Sequence, residues 1–185
     1  MPNTRTALIP LSENDLRVKV LVPMLRALGC RKVEDWQGAQ ENGKDIYFAY
    51  IDILGDVQHC CIFIKQGDIT KSGVTDIRRY EAQLREAFNN EFTNPLDNAT
   101  PVRAGSVYVA CNGTINDSAR TYIRNNIELH FPGRVRFLDA DKIAYIIDFE
   151  LVRRGTLPSS YVFAVDGFAD ICEKVKPNAP TGGVL

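Results

Sequence analysis

The sequence has no surplus of charge of either sign: 22 Lys and Arg stand against 23 Asp and Glu, a net charge of −1. No global field therefore steers the chain toward nucleic acid or an anionic surface, and any anion site has to be built locally. An apolar run near membrane-spanning length is missing, as is a signal-peptide pattern. Histidine is scarce. His59 and His130 are too few and too far apart for a histidine-based metal cluster. The five cysteines (Cys30, Cys60, Cys61, Cys111 and Cys172) are an odd set with no C-x-x-C spacing, and most lie in apolar runs. That argues against a zinc site or a disulfide framework and points to reduced thiols in a cytoplasmic protein.

What is present is an ordinary globular composition, 45% apolar and 24% charged over 185 residues, enough for one domain with a substantial core. Residues 1–11 read as a loose lead-in, 12–175 as the domain, and 176–185, rich in Pro and Gly, as a flexible tail or linker. Ser12 with Asp15 marks a helix start, Leu16, Val20, Met24 and Leu28 recur at helical spacing, and Gly29 closes the run. Pro23 should kink or split that helix. A short strand over 32–36 and a polar loop over 37–44 follow. Further on, Ile77, Tyr80, Leu84, Ala87 and Phe88 form the inward face of an amphipathic helix, with Arg78, Arg79, Glu81 and Arg85 toward water. The nearly continuous apolar run 106–111 reads as a buried central strand ended by Asn112-Gly113. A helix capped by Asn116 or Asp117, a strand over 134–138, a helix capped by Asp139 and a last helix from about Leu157 to Val175 complete the chain. The expected fold class is α/β, a mixed β-sheet flanked by helices on both faces.

One hairpin carries the chemistry. Asp45 to Ile51 reads as a strand running to a turn at Leu54-Gly55-Asp56, and Val57 to Lys65 as its returning partner. Period two puts Asp45, Tyr47 and Ala49 on one face of the first strand, and Cys61, Phe63 and Lys65 on one face of the second. A carboxylate at the start of one strand can then lie beside an ammonium at the end of the other. Phosphodiester cleavage uses such a pair, the acid to hold a divalent metal and the lysine to orient water and offset developing negative charge. The plainer reading is two ordinary surface residues at strand ends.

With these elements in order, the chain resembles an Mrr-type restriction-endonuclease-like domain of the PD-(D/E)xK nuclease superfamily. The resemblance runs from about Ser12 to Asp148. It is carried by the helix ending Leu28-Gly29-Cys30, by Glu41-x-Gly43-Lys44-Asp45-Ile46, and by the stretches from Val107 to Ile115 and from Val135 to Ile143. It implies a Mg²⁺- or Mn²⁺-dependent endodeoxyribonuclease with Asp45 as metal ligand and Lys65 as catalytic lysine. It further implies DNA as partner, a homo-oligomer, and a role in prokaryotic antiviral defence, with such a domain often the N-terminal effector of a larger protein. The departure is Phe63, where the superfamily carries Glu, Asp or Gln; a phenyl ring cannot coordinate Mg²⁺, which takes oxygen ligands. Glu41, just ahead of Asp45, is the first substitute as metal ligand. Glu13 is the next, although an acid at a helix start is favoured by the helix dipole regardless. Asp68 reads as a turn residue and Gln83 as a helix residue that could point at the site. Lys44, Lys71, Arg78 and Arg85 are the nucleic-acid-binding candidates, weighed against an ordinary solvated face. Trp36 and Gln37 could stack on a base, but a lone Trp near a strand end also fits plain packing. Phe63 leaves room for a rival function, a nuclease-fold module that binds nucleic acid or a protein without cutting.

Overall fold

The computed structural model describes residues 3–36, 44–72, 75–127 and 132–174. Five strands form one sheet in spatial order β1-β2-β3-β4-β5: β1 (Lys32–Asp35), β2 (Ile46–Ile51), β3 (Val57–Lys65), β4 (Ser106–Cys111) and β5 (Val135–Leu138). The first two pairings are antiparallel and the last two parallel, so the sheet is mixed as expected. β2 and β3 are joined by a tight turn in which the Asp52 carboxylate accepts from the N–H groups of Leu54 and Asp56, and Gly55 takes a left-handed φ of 93°. The parallel pairs need crossovers, and each crossover carries a helix.

Helices cover both faces. One layer holds α1 (Thr4–Leu8), α2 (Glu13–Asp15, Leu16–Leu21 and Val22–Ala27 in one run), α5 (Ala140–Tyr145 continuing through Ile146–Glu150 and Leu151–Arg153) and α6 (Val165–Lys174). These bury Leu16, Leu25, Ile143 and Ile147 against Ile46, Phe48, Ile62 and Ile64 of the sheet. The other layer holds α3 (Glu81–Asn89, entered through a 3₁₀ turn, Ile77–Tyr80) and α4 (Asp117–Asn126), packed on Tyr47, Cys61, Phe63, Val107 and Val109. Alternate residues of β2 and β3 thus enter opposite layers, and the central strands are buried on both sides.

Local signals act largely as the residues suggest. Ser12 Oγ accepts from the Asp15 N–H at 3.0 Å, and Asn116 and Asp139 cap α4 and α5 through the N–H groups of Ala119 and Lys142. At the end of α2, Gly29 has φ 87°, its N–H reaches the Arg26 carbonyl, and the Cys30 N–H reaches Leu25. That is the two-bond glycine stop.

Three expectations need correction. Within the expected loose lead-in, Thr4–Leu8 is helical, Asn3 caps it, and Leu8 is fully buried. Pro23 does not split α2. The turns ahead of it widen into a π-helical stretch, Leu16–Leu21, in which the Val22 N–H donates to the Arg17 carbonyl five residues back, so the ring is absorbed without a break. The last helix begins later than Leu157, because Pro158 opens a turn and Gly167 (φ 96°) interrupts the helix near its start. The cysteines are free thiols, four of them buried. Among the described residues no helix is long and apolar enough to cross a membrane.

Phe48 is fully buried with its ring centroid 5.3 Å from that of Tyr108 on β4. Phe48→Ala should therefore cost about 3–5 kcal/mol, read as a lowered midpoint in urea unfolding; a loss under about 1 kcal/mol would mean this layer is loosely packed.

Candidate active site

β2 begins where β3 ends, with Ile46 opposite Ile62. The Asp45 N–H donates to the Ile62 carbonyl at 2.8 Å, and the Asp45 Oδ2 accepts from the Ile64 N–H at 2.6 Å. That second bond fixes the carboxylate against the backbone immediately ahead of Lys65. Lys65 closes β3, and being last in the strand its ammonium reaches the sheet's end, where both helical layers meet it. From one layer Glu13, first residue of α2, brings Oε1 to 3.3 Å of Lys65 Nζ. From the other come the rings of Phe63 and Tyr80, with centroids 4.8 and 5.1 Å from the same nitrogen. The place is the carboxyl end of the parallel strands β3 and β4, where open α/β sheets commonly build their sites.

The sequence candidates divide accordingly. Glu13 is brought to the Lys65 ammonium, and Asp45 to the backbone one residue ahead of that lysine. Glu41 lies outside the described residues, as does Gln37. Phe63, 2% exposed, is a core residue whose ring lies against Tyr80 (5.4 Å between centroids) as well as against the lysine. Asp68 serves the loop after Lys65, its Oδ1 accepting from the Thr114 N–H at 2.7 Å. Gln83 is exposed on α3.

Lys44 is turned inward instead of being presented to solvent. It is 2% exposed, its Nζ donates to the Asn90 carbonyl at 3.3 Å, and it sits 4.9 Å from the centre of the Phe92 ring. Burial also holds its pKa below the usual lysine value. Trp36 stacks on Tyr47 (5.3 Å, 14°) and meets Phe92 edge-on, so it packs as part of the same cluster. Arg85 does not simply face water: it pairs with Glu81 at 2.9 Å and donates to the Asn126 carbonyl at 2.6 Å, while Tyr122 also donates to Glu81. These bonds tie α3 to α4. Arg78 is half-exposed and chelates Asp76; Lys71 is exposed beside α4.

The pull on Lys65 comes from contacts that are individually modest. Its side chain is 20% exposed and that of Glu13 37%, so the ion pair is worth about 0.2–1 kcal/mol. The ring contacts add about 0.5–2 kcal/mol. The residues missed by sequence reading are Tyr80, taken as plain core, and Asn112, taken as a strand stop. Asn112 is 1% exposed and its amide bonds both the segment ahead of Glu13 and the loop after Lys65. Its partners lie up to 103 positions away, so no local pattern marks it.

No family model matches the chain, and no curated protein matches it. Among solved structures it is similar to the MspJI restriction endonuclease in complex with a 27-mer oligonucleotide, at 15% identity and a TM-score of 0.41. That match takes in 88% of this chain and 32% of the other, so the chain spans about a third of that protein's length. The fold itself is the mixed five-stranded sheet between two helical layers described above. So distant a likeness decides nothing about chemistry, which rests on this chain's own side chains.

Two outcomes follow from the cluster beside the site. Lys44→Met should leave thermal stability unchanged or raised, because a buried ammonium is replaced by an apolar chain of similar length; a fall in the melting temperature of more than a few degrees would show that the carbonyl and ring contacts of the ammonium outweigh its burial. His59 accepts or donates one bond with the Tyr47 hydroxyl at 2.8 Å, and burial lowers its pKa from 6.5. A depressed histidine adds stability that is full above 6.5 and drains as pH falls toward the folded value. Between pH 7 and 5 the urea midpoint should fall further in the wild type than in His59→Gln.

Proposed function

We propose that this chain is a Mg²⁺- or Mn²⁺-dependent endodeoxyribonuclease domain of the PD-(D/E)xK kind, Mrr-like, whose reaction centre is Asp45, Lys65 and Glu13. The observation that carries the reading is the end of the β2–β3 hairpin, where Ile64 fixes the Asp45 carboxylate and Lys65 follows directly with Glu13 on its ammonium. A strand-borne acid and amine so joined suit a phosphodiester, which brings negative charge to be offset and needs a water to be aimed.

The donor set fits a hard cation. Mg²⁺ keeps several waters and takes one or two carboxylates, and Asp45, with Glu41 as second acid, would hold it. Among the described residues no group of three or more His, Cys, Asp or Glu is arranged around one point, which is a poor setting for Zn²⁺ but no obstacle for an ion held by one or two acids. When bound, the ion polarises the phosphate and acidifies water. Lys65 orients the attacking water and donates to a phosphate oxygen; Glu13 keeps the ammonium aimed along the strand end. Water adds to phosphorus, the bond to the leaving sugar oxygen breaks, and that oxygen takes up a proton. DNA would follow the exposed Lys71 and Arg78 rather than Lys44. Cleavage of both strands favours a homo-oligomer, and a place as the effector of a larger antiviral defence protein in the cytoplasm suits such a domain.

Phe63 favours a second reading, a nuclease-fold module that binds nucleic acid or protein without cutting. Where a third oxygen would help seat the metal, a buried phenyl ring lies under the lysine instead.

Incubation of the purified protein with supercoiled plasmid and Mg²⁺ or Mn²⁺ separates the two. The expected result is metal-dependent nicking or linearisation, lowered about 100-fold or more by Asp45→Ala and by Lys65→Ala. Undiminished cleavage in both variants would place the activity elsewhere. No cleavage by the wild type, with salt-dependent DNA binding, would favour the binding module.

A further inference from the structure

Leu11 stands two residues ahead of Glu13, and Gly67 two residues past Lys65. One buried side chain holds both segments. Asn112 Oδ1 accepts from the Gly67 N–H at 2.6 Å, while its Nδ2 donates to the carbonyls of Ile9 at 2.8 Å and Leu11 at 2.7 Å. Both amide hydrogens are thus used. We infer that Asn112 is a positioning residue, a strut that sets the distance between Glu13 and Lys65 by fastening the chain ahead of one to the chain behind the other.

A residue that merely ended β4 would bond its own neighbours, whereas these bonds reach segments 45 to 103 positions away. The next residue adds an independent constraint. A Cβ on Gly113 would lie 2.5 Å from Asp68 Oδ1 and 2.6 Å from the Gly67 carbonyl carbon, so the loop after Lys65 is seated on bare backbone here. The same loop is then bonded along its length: Thr114 donates to Asp68, Ile69 donates to the Thr114 carbonyl at 2.9 Å, and Asn116 donates to the Ile69 carbonyl at 3.1 Å. In register, Lys65 pairs with Cys111, so the strut stands one residue beyond the lysine's own partner. Asn112 touches neither the ammonium nor the carboxylate it governs by any bond described; it acts on them through backbone.

The catalytic consequence rests on the nuclease reading, but the geometry does not, and NMR tests it without cleavage. Lys65 Nζ lies 4.8 and 5.1 Å from the Phe63 and Tyr80 ring centroids, so the adjoining ε-methylene protons should resonate upfield of those of a lysine with no ring beside it. In Asn112→Ser, at least half of this displacement should disappear, and Glu13→Gln should then move the signal by less than half of its effect in the native background. Ile147→Ala, a core change in the α2–α5 layer, serves as the control for general loss of stability and should leave the displacement intact. If Asn112→Ser keeps both the upfield signal and the full response to Glu13→Gln, or if the control erases the signal equally, the strut is refuted whether or not the protein cuts DNA. Where cleavage is measurable, Asn112→Ser should lower kcat about tenfold with KM for plasmid nearly unchanged. The Asn112→Ser/Glu13→Gln double variant should fall within about twofold of the worse single variant; multiplication of the two losses would overturn the assignment.

Discussion

The antiparallel register of β2 on β3 is the constraint on which the rest depends. With Ile46 opposite Ile62, the backbone ahead of β2 lies beside the backbone at the end of β3, and the Asp45 carboxylate meets the Ile64 N–H. A one-residue slip of β2 would exchange its two faces, sending Tyr47 into the layer that now holds Phe48. Both layers are packed, so the register is enforced by burial on each side. The turn at Asp52–Asp56, with its left-handed glycine, closes the hairpin in agreement with that register.

Around that fixed point the forces are graded. The contacts that Lys65 makes are each small and partly exposed, too weak to order two long side chains against their own entropy. The frame is stronger. An Asn side chain that is buried with donors and acceptor satisfied resists displacement, since each group left unpaired would cost about 1–3 kcal/mol. The site is thus held from behind, by the Asn112 and Asp45 side chains bonded to the backbone of residues 9, 11, 64 and 67 and by backbone bonds between Ile69 and residues 114 and 116. This arrangement leaves Lys65 and Glu13 part-accessible while the main chain on either side of them is held in place.

The charged residues show how little composition says about placement. Lys44 adjoins Asp45 in sequence, yet its long stem enters the aromatic cluster of Trp36, Tyr47 and Phe92 and its charge finds a carbonyl. Arg85, on the nominally wet side of α3, spans to the next helix. Arg120 bonds Asp139 and the Ile115 carbonyl and lies over the Phe137 ring, tying α4 to β5. In each case a flexible side chain reached the partner that the packing of helices put within range, and such partners come from distant parts of the chain.

What the residues determined alone is local: the caps at Ser12, Asn116 and Asp139, the glycine stop at Gly29, the hairpin with its facing sides, and the central strand 106–111. These follow from backbone sterics, capping bonds and hydrophobic period, which act over a few positions. The pairing of Asp45 with the end of β3 was legible for the same reason, because a short turn joins its two halves. Tertiary structure decided the remainder. It made Thr4–Leu8 a helix through the burial of Leu8, let α2 pass through Pro23 by widening, turned Lys44 inward, and brought Glu13 and Tyr80 to Lys65. It also gave Asn112 its three long-range bonds. No local pattern specifies such contacts, because they exist only when two helical layers close on opposite faces of one sheet.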